Sequence, residues 1–229
     1  MFRNFTGILL LLLIVWSGCK KHDVIEPPDH HQPEKTVKVL YIVPADRKVN
    51  PLYKVALAEA APVVQRWYKD QMGGKTYFYD NPLVTTLQSD KPSAWFSADN
   101  GNSGTDPFYF FFYNAYNETL RLLGDQWDPS RFVYTVYVDA YGQTGAGGSG
   151  IAIMPENDLL GLAGLMEEPV SRWRGGWAHE LGHAFGLPHP PEGSPDWDKA
   201  VMGFGYITFP DAFLRESDKE ILANSGFFY

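Results

Sequence analysis

The chain has 229 residues, 45% hydrophobic, 15% aromatic and 20% charged, so it can bury a core and is not mainly disordered. Its net charge of -8 gives it no electrostatic attraction to nucleic acid, and no such partner is expected. A single cysteine excludes an internal disulfide framework, a multi-cysteine zinc ribbon and an iron–sulfur site.

The first nineteen residues have the organisation of an export signal. The apolar run Ile8–Trp16 has the length of a signal-peptide core and is too short to span a bilayer, which takes about twenty residues. Two small residues, Ser17 and Gly18, then precede Cys19, which resembles a bacterial lipobox. We therefore predict a signal peptide over residues 1–18 and an exported protein that is lipid-anchored through Cys19 to a bacterial membrane. The outer membrane is expected, with the domain periplasmic or surface-exposed; an ordinary cleaved signal with a chance cysteine is the alternative.

Residues 19–35 have the composition of a tether. Lys20–Lys35 is polar, contains three prolines and has no apolar period, so it predicts a flexible link to a domain over residues 36–229. Three of the six histidines lie in this link: His22, His30 and His31. We interpret them as solvated side chains, and a metal-binding role for them is the alternative.

The remaining residues alternate between strand and helix patterns. In chain order the patterns predict strand Thr36–Val43, helix Leu52–Met72, strands Lys75–Tyr79 and Leu83–Leu87, loop Ser89–Pro107, helix Phe108–Leu123, strand Phe132–Val138, loop Gln143–Gly150, strand Gly150–Met154, helix Val170–Phe185 and helix Pro210–Asn224. The Phe and Tyr side chains of the second helix are expected in the core. The glycine-rich loop lacks a following Lys-Ser/Thr pair, so it predicts a flexible connection and not a phosphate cradle.

One motif, H-E-x-x-H-x-x-G-x-x-H, carries the chemistry. His179 and His183 are four residues apart, so on a helix they share one face and can ligate one Zn²⁺. Gly186 follows the predicted helix and can adopt the left-handed conformation that returns His189 to the metal as third ligand. Three nitrogen ligands leave the fourth position open, which is the pattern of one catalytic zinc ion. Glu180, next to the first ligand, is placed as general base for a zinc-activated water.

The long motif resembles that of the metzincin zinc endopeptidases. These enzymes carry a methionine-bearing turn beneath the zinc, and Met202 lies thirteen residues after His189. The resemblance implies an α/β (α+β) catalytic domain with a mixed twisted sheet, an active-site helix, a Met-turn and a C-terminal helix. It also implies a monomeric zinc-dependent endopeptidase that hydrolyses proteins or peptides bound in an extended conformation. Phe204 stands where some members have a metal-approaching tyrosine, and the nearest tyrosine is Tyr206.

In such enzymes an edge strand before the active-site helix pairs with the substrate backbone. We predict that this edge strand is formed by Gly150, Ile151, Ala152, Ile153 and Met154; a buried inner strand is the alternative. A side-chain pocket is expected over Gly203–Phe209, after the Met-turn. Two other functions remain open from the sequence: a catalytically inactive binding module of the same fold, and a zinc-handling lipoprotein.

Overall fold

The computed structural model describes residues 34–101 and 106–229, so the predicted signal peptide, Cys19 and nearly all of the tether lie outside the described residues. The strands are β1 (Thr36–Val43), β2 (Tyr79–Gln88), β3 (Phe132–Val138), β4 (Ala146–Gly148) and β5 (Ile151–Met154). The helices are α1 (Pro51–Gln71), α2 (Phe110–Leu123), α3 (Glu156–Leu162), α4 (Val170–Ala184) and α5 (Glu216–Asn224). Within the described ranges, no helix is long and apolar enough to cross a bilayer.

The five strands form one sheet in the order β2-β1-β3-β5-β4. The first four strands in this order run parallel, and β4 pairs antiparallel with β5 at one edge. Every residue of β3 is buried, as expected for a parallel strand covered on both faces. The predicted mixed α/β domain is therefore confirmed.

The side chains of β1 alternate between two cores. Val39 and Tyr41 join a cluster with residues of α1, α3 and α4, whereas Leu40 and Ile42 join a second cluster that includes residues of α2. The larger cluster contains Trp177 and other buried residues of α4. Helix α4 is therefore anchored on one face of the sheet, next to β4 and β5.

The prediction of an edge strand at Gly150–Met154 is wrong. Residues Ile151–Met154 are fully buried, and β5 pairs with β3 on one side and with β4 on the other, so its backbone cannot pair with an incoming chain. The edge is β4, which lies inside the segment predicted to be a flexible glycine-rich loop. Ser149 and Gly150 link the two strands with φ angles of 50° and 85°, the positive values of a tight hairpin turn.

Three other elements differ from the predictions. Strand β2 contains the predicted strand Leu83–Leu87, whereas the predicted strand Lys75–Tyr79 is not formed and only Tyr79 belongs to β2. The strand runs through Pro82 because this residue falls at a register irregularity where no ladder hydrogen bond is needed. Helix α3 has no counterpart among the predictions. The last helix begins at Glu216 and not near Pro210, because the Asp218 carboxylate accepts a hydrogen bond from the backbone N–H of Arg215 (3.0 Å) and caps the helix there.

Candidate metal centre

Helix α4 is held close to the segment that contains Met202. Met202 is fully buried, and a Cβ added at Gly182 would overlap its sulfur. The Tyr68 hydroxyl donates a hydrogen bond to the carbonyl of Ala178 (2.7 Å) and fixes the helix from the α1 side. The predicted methionine turn therefore lies directly against the helix that carries the first two histidines.

The end of α4 reverses as the motif predicts. Gly186 has a φ of 95°. Its N–H donates to the carbonyl of His183 (2.9 Å), and the N–H of Leu187 donates to that of Gly182 (3.0 Å). This pair of bonds is the Schellman arrangement, which needs a left-handed residue at this position. The turn directs His189 back towards α4.

The three histidines converge through their Nε2 atoms. The Nε2 separations are 3.1 Å for His179–His183, 2.9 Å for His183–His189 and 3.3 Å for His179–His189. Nitrogen ligands about 2.0–2.1 Å from a tetrahedral zinc ion are about 3.3–3.4 Å apart. This histidine triad therefore fits one zinc ion, and among the described residues it is a group that could hold a metal.

Two of the rings are oriented by backbone carbonyls. His179 Nδ1 donates to the carbonyl of Val201 (2.7 Å), and His183 Nδ1 donates to that of Leu187 (2.8 Å). With the proton on Nδ1, each Nε2 has a lone pair that can bind a metal ion between the three rings. Burial lowers the pKa of His179 to about 3 and also lowers that of His183, so both rings are neutral at pH 7, as metal ligands must be.

Glu180 lies in the cleft beside the triad. The cleft has a volume of about 600 Å³ and is lined by residues of β4, α3, α4 and the segment after Met202. Burial, with a smaller contribution from Asp158, raises the pKa of Glu180 to about 8. A Cβ added at Gly145 would lie 3.4 Å from Cγ of Glu180, so the backbone just before β4 closely approaches this side chain.

The segment after Met202 supplies part of the predicted pocket wall. Gly203, Phe204 and Tyr206 line the cleft. The Tyr206 ring lies 5.1 Å from the His179 ring, measured between centroids, so the tyrosine is adjacent to the triad. Phe204 is 50% exposed and forms an apolar part of the cleft rim.

Several residues that line the cleft are not predicted from the sequence to lie at the site. Asp158 and Arg172 lie on α3 and α4, in no recognisable motif, and only the packing of these helices brings them into the same cleft. Phe108 and Tyr109 are predicted in the core, but they are 43% and 45% exposed and line the cleft. They precede α2 in a short 3-10 turn and so fall outside its buried face.

No protein-family model matches this chain, and it has no significant match among curated proteins. Among solved structures, OgpA from Akkermansia muciniphila is 20% identical, with a TM-score of 0.60 over 85% of this chain and 62% of OgpA. Catalytically inactive OgpA in complex with an O-glycopeptide substrate, glycodrosocin, is 19% identical, with a TM-score of 0.59 over 85% of this chain and 61% of OgpA. Archaemetzincin from Methanopyrus kandleri is 17% identical, with a TM-score of 0.46 over 85% of this chain and 98% of that protein. This chain thus spans less than two thirds of OgpA, with which it shares its fold.

Proposed function

We propose that this protein is a zinc-dependent endopeptidase. The observation that carries the proposal is the convergence of three histidine nitrogens next to Glu180 in an open cleft. The triad would hold one zinc ion, which when bound supplies Lewis-acid polarisation of a carbonyl and a more acidic water. The likeness of the fold to OgpA is consistent with this proposal.

Glu180 would move the proton. The positive charge of a bound zinc ion would favour the ionised form of Glu180. The carboxylate would then take a proton from the attacking water and pass it to the leaving amine. No other side chain among the described residues forms a hydrogen bond with its carboxyl group, which lines the cleft. A covalent enzyme intermediate is not required.

The free edge of β4 would hold the substrate. Residues Ala146–Gly148 pair with β5 on one side only, and Ala146 and Gly147 line the cleft. A peptide that adds a strand here would present an extended backbone to Glu180 and the triad. Each backbone hydrogen bond would contribute about 0.5–1.5 kcal/mol, largely independent of substrate sequence.

The test is cleavage of an internally quenched peptide library by protein loaded with one equivalent of zinc. We expect internal cleavage that a chelator abolishes and that added zinc restores. Absence of cleavage in every library pool, with zinc bound, would favour the inactive binding module. Reversible zinc transfer to an acceptor protein without cleavage would favour zinc handling.

A second, narrower candidate is an endopeptidase that cleaves beside a glycosylated residue. It is favoured by the likeness to OgpA, whose inactive form was solved with an O-glycopeptide, and by the exposed rings of Phe108 and Tyr109 in the cleft. Flat aromatic faces of this kind can pack against a sugar. Paired peptides that differ only in one O-linked sugar test it; equal rates for the two members would exclude a glycan requirement.

We also propose that the protein is an exported lipoprotein, with a signal peptide over residues 1–18 and a monomeric domain tethered through Cys19. The apolar run before the single cysteine supports this proposal. Cys19→Ser should move the protein from the membrane fraction to the soluble fraction without loss of peptidase activity. A Cys19→Ser protein that still sediments with membranes would contradict lipid anchoring.

A further inference from the structure

Asp158 is a buried acid that faces the cleft. It lines the cleft next to Glu180, yet its residue is only 9% exposed. Within the part of the chain that the structure describes, no other residue's side chain hydrogen-bonds with its carboxylate or pairs with it within 4.0 Å. Burial raises its pKa to about 7, with Arg172 acting in the opposite direction.

Arg172 faces the same space from α4. Its guanidinium carbon lies 4.5 Å from the centroid of the Trp173 ring and 5.1 Å from that of Tyr206, so aromatic packing fixes its position. It makes no ion pair within 4.0 Å with a described carboxylate. A carboxyl group and a guanidinium therefore lie on opposite sides of the space, without direct contact.

Gly176 keeps the space between these two groups open. A Cβ added there would lie 3.2 Å from Nη1 of Arg172 and 3.7 Å from Oδ1 of Asp158. We call the space bounded by Asp158, Arg172 and Gly176 the recess. It opens into the cleft beside Glu180, where a residue flanking the scissile bond would lie.

The polar groups of the recess limit what can enter. A lysine or arginine side chain would meet the guanidinium of Arg172, and the carboxylate of an aspartate or glutamate would lie against two other acidic groups, Asp158 and Glu180. A hydrocarbon side chain would displace water and leave the buried carboxyl group of Asp158 and the partly buried guanidinium of Arg172 without hydrogen bonds, which is unfavourable. A neutral hydroxyl avoids all of these costs, because it can donate to a carboxylate and accept from a guanidinium.

We infer that the recess is a specificity site for a neutral, hydroxyl-bearing group on the substrate residue next to the scissile bond. This inference rests on the proposed peptidase function. The hydroxyl can come from two sources: a serine or threonine side chain itself, or a sugar linked to it. In both cases the hydroxyl donates to Asp158 and accepts from Arg172.

Matched peptides test the inference. Peptides that differ at one position, on either side of a cleaved bond, carry threonine, O-glycosylated threonine, valine, lysine or glutamate. Valine has the shape of threonine without the hydroxyl, so we expect kcat/KM for threonine or glycosylated threonine to exceed that for valine about ten- to hundredfold. A preference for the bare or the glycosylated threonine identifies the source of the hydroxyl.

Variants then assign the preference to the recess. Asp158→Leu and Arg172→Met should reduce the ratio of hydroxyl-bearing to valine peptides to near one, and Asp158→Asn should retain part of it. Glu156→Gln is the control: this residue lies on α3 but pairs with Arg47 (3.1 Å) and does not line the cleft, so the ratio should stay as in the wild type. Thermal unfolding of each variant separates loss of fold from loss of selectivity, and Asp158→Asn changes the shape least.

The two proposals fail in different ways. Cleavage of all peptides at equal rates, or a hydroxyl preference that the Asp158 and Arg172 variants retain, overturns the recess inference and leaves the peptidase standing. Absence of cleavage of any peptide by the zinc-loaded protein overturns the peptidase proposal. In that case the binding of the same peptides is measured by fluorescence anisotropy, where equal affinities for threonine, glycosylated threonine and valine overturn the recess inference as well.

Discussion

In the histidine triad, backbone carbonyls accept hydrogen bonds from Nδ1 of His179 and of His183, and the Nε2 atoms of the two rings lie 3.1 Å apart. In the recess, Asp158 and Arg172 are positioned by burial and ring packing, yet no hydrogen bond to another described side chain completes them. The first group has its geometry before any ligand arrives. The second has a carboxyl group and a guanidinium that no neighbouring side chain binds through a hydrogen bond, so a substrate group could bind both. Within one cleft, the proposed metal site and the proposed selectivity site therefore differ in whether hydrogen bonds from the protein orient their polar groups.

The largest expected effect comes from loss of a triad member. His189 is the exposed member, on the turn after Gly186, so His189→Ala should fold. We expect zinc affinity to fall by about three orders of magnitude, because two nitrogens remain where three converged. A competition titration with a chromogenic chelator measures this. Glu192→Ala, an exposed neighbour that does not line the cleft, is the control, and an unchanged affinity in His189→Ala would exclude the triad as the zinc site.

Glu180→Gln separates chemistry from metal binding. The amide cannot accept the proton, whereas the three histidines are untouched, so kcat should fall by about 10²–10⁴ with zinc content unchanged. Steady-state kinetics together with metal analysis of the same sample measure both quantities. Parallel loss of zinc and activity would instead give Glu180 a structural role at the triad.

The packing of β4 against α4, next to the triad, depends on the small size of Gly147. A Cβ at Gly147 would overlap the carbonyl oxygen of Glu180 and lie 2.9 Å from Cβ of His183, whereas one at Gly148 would meet nothing within 4 Å. Gly147→Ala should therefore lower the free energy of unfolding by about 2–3 kcal/mol and reduce activity, while Gly148→Ala should do neither to a comparable extent. Urea unfolding of the two variants compares them directly. Equal effects would show that β4 does not pack on α4 as described.

The smallest expected effect concerns the way in which Glu180 makes the free energy of unfolding of the metal-free protein depend on pH. The pKa of Glu180 is raised from 4.5 to about 8 in the folded state, so the folded protein binds this proton more tightly than the unfolded chain. Its ionisation therefore destabilises the fold progressively as the pH rises from about 4.5 to about 8. Relative to wild type, metal-free Glu180→Gln should be no more stable at pH 4 and more stable at pH 8, by on the order of 1–2 kcal/mol. Urea unfolding at both pH values tests this, and a pH-independent difference would contradict the burial of Glu180.

The sequence alone predicts the triad because its geometry is local. Fixed spacing on one helix and one turn places His179, His183 and His189, and Gly186 has the positive φ that the spacing requires. The strands Thr36–Val43 and Phe132–Val138 are likewise confirmed with the predicted bounds, because their β-branched and aromatic residues favour buried strands.

The edge strand and the recess could not be predicted in this way. Strand β4 has the sequence Ala-Gly-Gly, which has low strand propensity; it is a strand because β5 offers hydrogen bonds and because Gly147 lets it lie against α4. Asp158 and Arg172 are fourteen positions apart and belong to no local pattern. Their role depends on the packing of α3 against α4, which is a tertiary property.

The three histidines of the triad lie within eleven consecutive residues, His179–His189. A segment this short can fold around an ion even when the rest of the chain is unfolded, since closing a loop of this length costs little entropy. If the triad binds zinc as proposed, the denatured chain would therefore compete with the native chain for the ion. What the native chain adds is the pair of carbonyls at Val201 and Leu187 and the burial of His179. Zinc should accordingly raise the melting temperature by less than its affinity for the native protein alone would give.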